Sequence, residues 1–165
     1  MEPSEPSRIT DQLVRAHAGD PWHGSPVVAV LNGVTAAQAA RRPPNGAHSI
    51  WELVLHMTGW RNEVAARITG KEASDPEGGE YPAIGKPTSE RWTAALGALA
   101  AAHRRLVDVT NGLTNDQLLR PTKDPRNDPP GPGATAYELL HGIVQHDAYH
   151  AGQIAILKRI LGFSR

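Results

Sequence analysis

At the threshold of three helical patterns a hydroxyl residue stands three positions before Glu or Gln: Ser49 with Glu52, Thr114 with Gln117, and Thr135 with Glu138. In such a capping box the two side chains reciprocally satisfy backbone N–H groups that the start of a helix leaves free. Behind the first and third boxes, apolar residues recur every three to four positions, the period of a helix face. No run alternates as a half-buried strand would. The chain is therefore read as all-α.

The rest of the punctuation divides it into elements. Residues 1–6 read as a frayed end. A first helix is expected over residues 7–18, with Ile9, Leu13 and Ala16 on one side. Ser25 as cap and Pro26 as first helical residue begin a short piece through Leu31, and Thr35 caps a turn to Ala40. The Ser49 box opens a long helix to about residue 69, closed by Gly70. Thr88 caps a third long helix carrying Trp92, Leu96, Leu99, His103 and Leu106, which ends at Asn111-Gly112. The Thr114 box supports one short turn. The last long helix is expected over residues 136–160, with Gly162 as its C-terminal cap. Residues 71–87 and 121–134 are rich in Pro and Gly and read as loops, expected to shape the mouth of a site because ordered long loops often do. At 165 residues, with no linker, the whole chain is expected to be a single domain: a four-helix bundle with short accessory helices.

Composition narrows the function. Lys+Arg and Asp+Glu each number 17, so the chain lacks the basic excess that phosphate-backbone binding requires, and nucleic acid is not an expected partner. No apolar run approaches the roughly 20 residues of a membrane span. The absence of cysteine rules out disulfides, thiolate metal ligands and a catalytic Cys. Any thiol chemistry must use a thiol brought in as a small molecule. The acidic, prolyl start Met-Glu-Pro-Ser-Glu-Pro has no apolar run behind it and is not a signal peptide, so a cytoplasmic protein is expected.

The eight histidines carry the remaining information. The last helix has the stripe Leu139, Ile143, His146, His150, Ile154, Leu157, Leu161. His146 and His150 occupy positions that call for apolar residues. Four apart, they differ by about 40° around the axis and lie about 6 Å apart along it, close enough to share one ion. On the helix after Ser49, the stripe Ile50, Leu53, His56, Trp60, Val64, Ile68 places His56 in the same way. A lone inward histidine is more often a hydrogen-bonded core residue than a ligand. Three on two stripes point to a divalent metal held by His56, His146 and His150, with a position left open, as in catalytic sites. Buried imidazoles without partners would cost roughly 1–3 kcal/mol each, which a shared ion offsets.

Residues 146–150 read His-Asp-Ala-Tyr-His, the spacing of the zincin motif with Asp147 where its Glu would be. A shorter carboxylate and the lack of a downstream histidine argue against a metalloprotease, and Asp147 is expected at the surface or behind the ligands. His103 is read as a core histidine or a fourth ligand. His141 is expected on the helix surface or against a neighbouring helix, and His48 beside its loop. Trp22 and His23 are placed at the mouth of a pocket. Trp60 and Tyr149 serve as packing or pocket walls, and Gln153 as a solvated or ligand-bonding side chain.

The segments HSIWELVLHMTGW (48–60) and LLHGIVQHDAYHAGQI (139–154) together resemble the DinB/YfiT-like superfamily, over nearly the whole chain. The resemblance implies an up-down-down-up four-helix bundle and a three-histidine site on His56, His146 and His150. It implies zinc or nickel, which imidazole ligation suits equally, and a homodimer. Some members are transferases or isomerases that use a low-molecular-weight thiol such as bacillithiol or mycothiol. The leading expectation is a metal-dependent S-transferase acting on a small-molecule substrate with such a cosubstrate. A metal-dependent hydrolase is the alternative, followed by a non-catalytic metal- or ligand-binding stress protein and by purely structural histidines. No general acid or base is assigned.

Overall fold

The computed structural model describes residues 2–44, 46–125 and 131–163. Four long helices carry the fold: α1 (Glu5–Ala18), α4 (Ile50–Ile68), α5 (Ser89–Asn111) and α7 (Ala136–Ile160), with short helices α2 (Val27–Leu31), α3 (Ala36–Ala40) and α6 (Asn115–Leu118) between them. All three expected capping boxes form, and Thr35 with Gln38 makes a fourth. Gly162 sits just past α7 at φ +69°, and Phe163 N–H returns to the Lys158 carbonyl, a Schellman ending that needs the left-handed residue.

Each long helix packs on two others: α4 on α5 and α7, and α1 on the same two. Paired residues give the directions. Thr10 bonds Asn111 and His17 stacks on His103, so α1 and α5 are antiparallel. Trp51 meets Trp92 and Asn62 meets Arg105, so α4 and α5 run together. Arg61 lies opposite Asp147 and His56 opposite His150, so α4 and α7 oppose. The result is the up-down-down-up bundle.

Three expectations change. The first helix begins at Glu5, because Ser4 accepts from Ser7 N–H and Pro6, near the N-terminus where its missing N–H is harmless, is buried. At α2 the cap position falls on Pro26, which offers no side-chain bond, rather than on Ser25. The expected 121–134 loop is in part an antiparallel ribbon of β1 (Pro121–Asp124) and β2 (Gly131–Thr135), paired Pro121 to Thr135 and Asp124 to Gly131. Its middle, 126–130, lies outside the described residues, as does Asn45 of the stretch 41–46, where Pro43-Pro44 and Asn45-Gly46 predict a loop. A Cβ on Gly133 would come within 2.9 Å of the Thr122 carbonyl oxygen, so close approach demands glycine there.

Apolar residues gather in two clusters. One joins α2 and α3 to the first half of α4, the first half of α5 and the last half of α7. The other joins α1 and α6 to the remaining halves. At the junction runs a polar layer. Arg61 is fully buried and donates from Nε and Nη2 to the Asp147 carboxylate, at 2.8 Å in the shortest contact. Its Nη1 donates to the Leu99 carbonyl and to Nδ1 of His17, whose ring stacks on His103 at 4.0 Å. One guanidinium thus touches all four long helices. Burial pushes the Asp147 carboxyl up and Arg61 opposes it. The bidentate geometry requires the ionised, acceptor-only form.

Removing one partner of such a pair strands a buried charge. Arg61→Met is expected to cost about 3–5 kcal/mol in urea unfolding of the metal-free protein, and Arg61→Met/Asp147→Leu to recover most of it. A loss below about 1 kcal/mol in the single variant would contradict the brace.

Burial first, then Arg61, holds His17 down to about 3; burial, Arg61 and Arg104 hold His103 down to about 4. Both fold as neutral rings, while the unfolded chain takes up protons below about 6.5. Stability is therefore full above that pH and falls as pH drops toward 4, by up to about 1.4 kcal/mol per unit per histidine. His103→Phe, which removes an Nδ1 unpartnered among the described residues, is expected to flatten the slope between pH 6.5 and 4.5 in metal-free urea titrations. An unchanged slope would count against this origin.

Candidate metal centre

Just on the α2–α3 side of the Arg61 brace, the two histidine stripes meet. His56 Nε2 lies 2.9 Å from His146 Nε2, which lies 3.0 Å from His150 Nε2. Two nitrogens bound to one ion at 2.0–2.1 Å are at most about 4.2 Å apart, so the spacing admits a shared ion. His56 and His150 are buried and His146 is half-buried.

The tautomers follow from the far side of each ring. His56 Nδ1–H donates to the Glu80 backbone oxygen at 2.8 Å, and a carbonyl can only accept. His150 Nδ1–H donates to Gln153 Oε1 at 2.7 Å. In neutral rings both Nε2 atoms then present bare lone pairs to His146 Nε2. That atom can carry one hydrogen at most, so at least one of the two close nitrogen contacts has no hydrogen between its atoms. A shared cation removes the conflict, and the donor set fits one.

Electrostatics keep the nitrogens free for this. Burial first, then His150, His56 and Arg61, hold His146 down to about 3. Burial lowers His150 as well, against the opposing pull of its Gln153 bond. Protonation is suppressed where lone pairs are needed.

The Glu80 carbonyl is placed by the 71–87 loop, which is strapped along α4. Glu63 accepts from Ser74 N–H at 2.7 Å, and Arg67 donates to the Ser74 carbonyl at 2.8 Å. Pro76 lies where a Cβ on Gly59 would be, 2.9 Å away, so only glycine at 59 lets the strap approach. Gly78 and Gly79, both at positive φ, turn the chain into Glu80. Tyr81 then lies flat between two rings, 4.4 Å from His56 and 3.5 Å from His48. This loop reaches the site as expected. The described part of the 121–134 segment does not: Pro121, Thr122 and Lys123 lie at the far end of α4, beside Arg67, Ile68 and Gly70.

The remaining sequence candidates separate cleanly. Asp147 is neither a surface residue nor a base for the site, because its carboxylate is buried against Arg61. His103 stacks on His17 and is not a fourth ligand. His141 is half-buried beside Tyr137 and the α1 groove. Trp22 and His23 are exposed on the α1–α2 connection, and neither lines this site. Trp60 stands edge-on to His56 at 6.3 Å and Tyr149 edge-on to His150 at 5.0 Å. Gln153 is not merely solvated: it orients His150. Tyr81 and the Glu80 carbonyl were not singled out in the sequence, where Gly59 in mid-helix was the available sign of a close-lying loop.

Fold and site together define a class: helical bundles with three histidines gathered between two facing helices. The sequence matches the DinB superfamily over residues 22–154, and the chain belongs to that superfamily. A search of curated proteins found no match.

The tautomers can be read directly. In long-range proton–nitrogen spectra of metal-free protein near pH 8, His56 and His150 are expected with hydrogen on Nδ1. Hydrogen on Nε2 of both rings would contradict the orientation described.

Proposed function

We propose that His56, His146 and His150 bind one divalent ion, zinc or nickel, and that the chain is a metal-dependent enzyme acting on a small molecule. The observation that carries this is the approach of His146 Nε2 to within 2.9 and 3.0 Å of Nε2 of His56 and His150, whose Nδ1 atoms face the Glu80 carbonyl and Gln153 Oε1. Three protein ligands leave a position for an exchangeable group. An ion held there lowers the pKa of a thiol or water that takes that position.

A low-molecular-weight-thiol S-transferase is the preferred reaction. The chain has no thiol of its own, and Asp147, the carboxylate of the histidine motif, is committed to Arg61. That commitment favours thiol transfer over hydrolysis, which would draw on a nearby base. Glu80, Gln153 and Tyr81 orient two of the three rings and cover their outer faces, which fixes the donors before any ion arrives. The reading includes a single cytoplasmic domain and a homodimer, the latter resting on family resemblance. Among the described residues, no helix is long and apolar enough to cross a membrane.

Elemental analysis of protein made without a histidine tag tests the proposal. Near one ion per chain is expected in wild type and almost none in His150→Ala. No ion in wild type, even after incubation with zinc or nickel, would return the histidines to the core. With an ion bound, a small thiol added to cobalt-loaded protein is expected to give a near-ultraviolet charge-transfer band. Its absence would favour a non-catalytic metal protein.

A further inference from the structure

Beside the three histidines, toward the start of α4 and the end of α7, lies a cavity of about 510 Å³. Leu53 and Leu157 form its floor, Pro43 and Pro44 one wall, and Ile156 and Ile160 its open side. The last two are 58% and 61% exposed, unusual for isoleucines on a helix whose neighbours are packed. Its polar groups are His48, Tyr81 and Gln153. Among the described residues that line it, none is Lys, Arg, Asp or Glu. The nearby Arg42 and Glu52 are paired with each other.

Two of those polar residues also touch the proposed ligands. Gln153 accepts from His150, and Tyr81 stacks on His56. The cavity therefore shares walls with the three-histidine site. His48 Nδ1, at the same boundary, is buried without a hydrogen-bond partner among the described residues, the nearest carboxylate oxygen being 3.9 Å away. Volume, apolar walls and a few polar groups at one end are the features of a small-molecule site. The lack of any ionic side chain sets the class of ligand, because a charged body would be desolvated there with no counter-charge.

We propose that this cavity holds the body of the substrate, and that the substrate is an uncharged, largely apolar small molecule whose polar end lies at His48, Tyr81 and Gln153, next to the metal ligands. The inference rests on the metal-site reading above for the role of the ligand, but the cavity itself is tested without metal. A polar, ionised thiol cosubstrate does not suit these walls. In a transfer reaction the cavity takes the apolar partner.

Two probes with one ring skeleton separate the possibilities: uncharged N-phenyl-1-naphthylamine and its sulfonate, 8-anilinonaphthalene-1-sulfonate. Each is titrated at pH 8 into full-length, chelator-treated wild type, Ile156→Glu and Val14→Glu. Val14 is an exposed apolar residue on α1, away from the cavity. The uncharged probe is expected to bind wild type and Val14→Glu alike, at one per chain, and Ile156→Glu about tenfold more weakly, since a carboxylate would border the apolar body. The sulfonate is expected to bind wild type more weakly than the uncharged probe. Equal binding of the two probes, or no effect of Ile156→Glu, overturns the proposal. So does a sedimentation result in which Ile156→Glu converts a dimer to monomers and probe binding follows dimer concentration, because the face then belongs to a second copy. Circular dichroism and metal uptake matching wild type show that Ile156→Glu is folded. Absence of metal from wild type, with probe binding as expected, sinks the metal-site reading and leaves the cavity standing as a ligand site.

Discussion

The buried contact between Arg61 and Asp147 sets the geometry on which the site depends. Asp147 lies between His146 and His150 on α7, and Arg61 lies five residues after His56 on α4. Fastening Arg61 to Asp147 at 2.8 Å therefore fixes both the height and the rotation of one histidine stripe against the other. Each residue of a helix turns the face by about 100°, so a slip of one position would carry His56 away from α7. Apolar packing alone tolerates such slips more readily than a bidentate ion pair does. The same guanidinium reaches Leu99 and His17, so the register of α1 and α5 is tied to that of the histidine-bearing helices.

Around this brace the molecule is organised as two oily ends and a polar waist. The waist is a costly place to put seven polar side chains, namely Arg61, Asp147 and the histidines at 17, 56, 103, 146 and 150. Well-packed apolar residues would give a more stable bundle. Concentrating polarity in one layer confines that cost and leaves each end free to pack. It also puts the three clustered imidazoles where burial keeps them unprotonated, and beside a cavity that one of the oily ends leaves open.

Much of this was legible in the sequence because it depends on local rules. Capping boxes mark helix starts through side chain to backbone bonds only three residues long, and all three formed. Histidines on apolar stripes stand out because periodicity alone says which positions face inward, and His56, His146 and His150 are brought together. What escaped depends on contacts between distant positions. Nothing local says that Arg61 faces inward, since arginine is ordinarily a surface residue. For the same reason the sequence leaves Asp147 at the surface or behind the ligands, and only the surface reading fails, since the residue is buried. The ribbon of β1 and β2 hides because Pro121 and Pro132 supply no N–H and its short strands show no alternation. Tyr81 and the Glu80 carbonyl belong to a loop whose path is set by Gly59 and Glu63, far off in the chain.

His56 takes its orientation from the main chain at Glu80, not from a side chain. That has a consequence for how the position reads in evolution and in mutational scans. Any residue at 80 presents the same oxygen, so the letter there is free to drift while the atom is kept. The constraint is displaced onto Gly59, Gly78 and Gly79, residues with no functional groups, which decide where that oxygen goes. A search for invariant chemistry around the histidines would pass over the strap, and a search for invariant shape would find it.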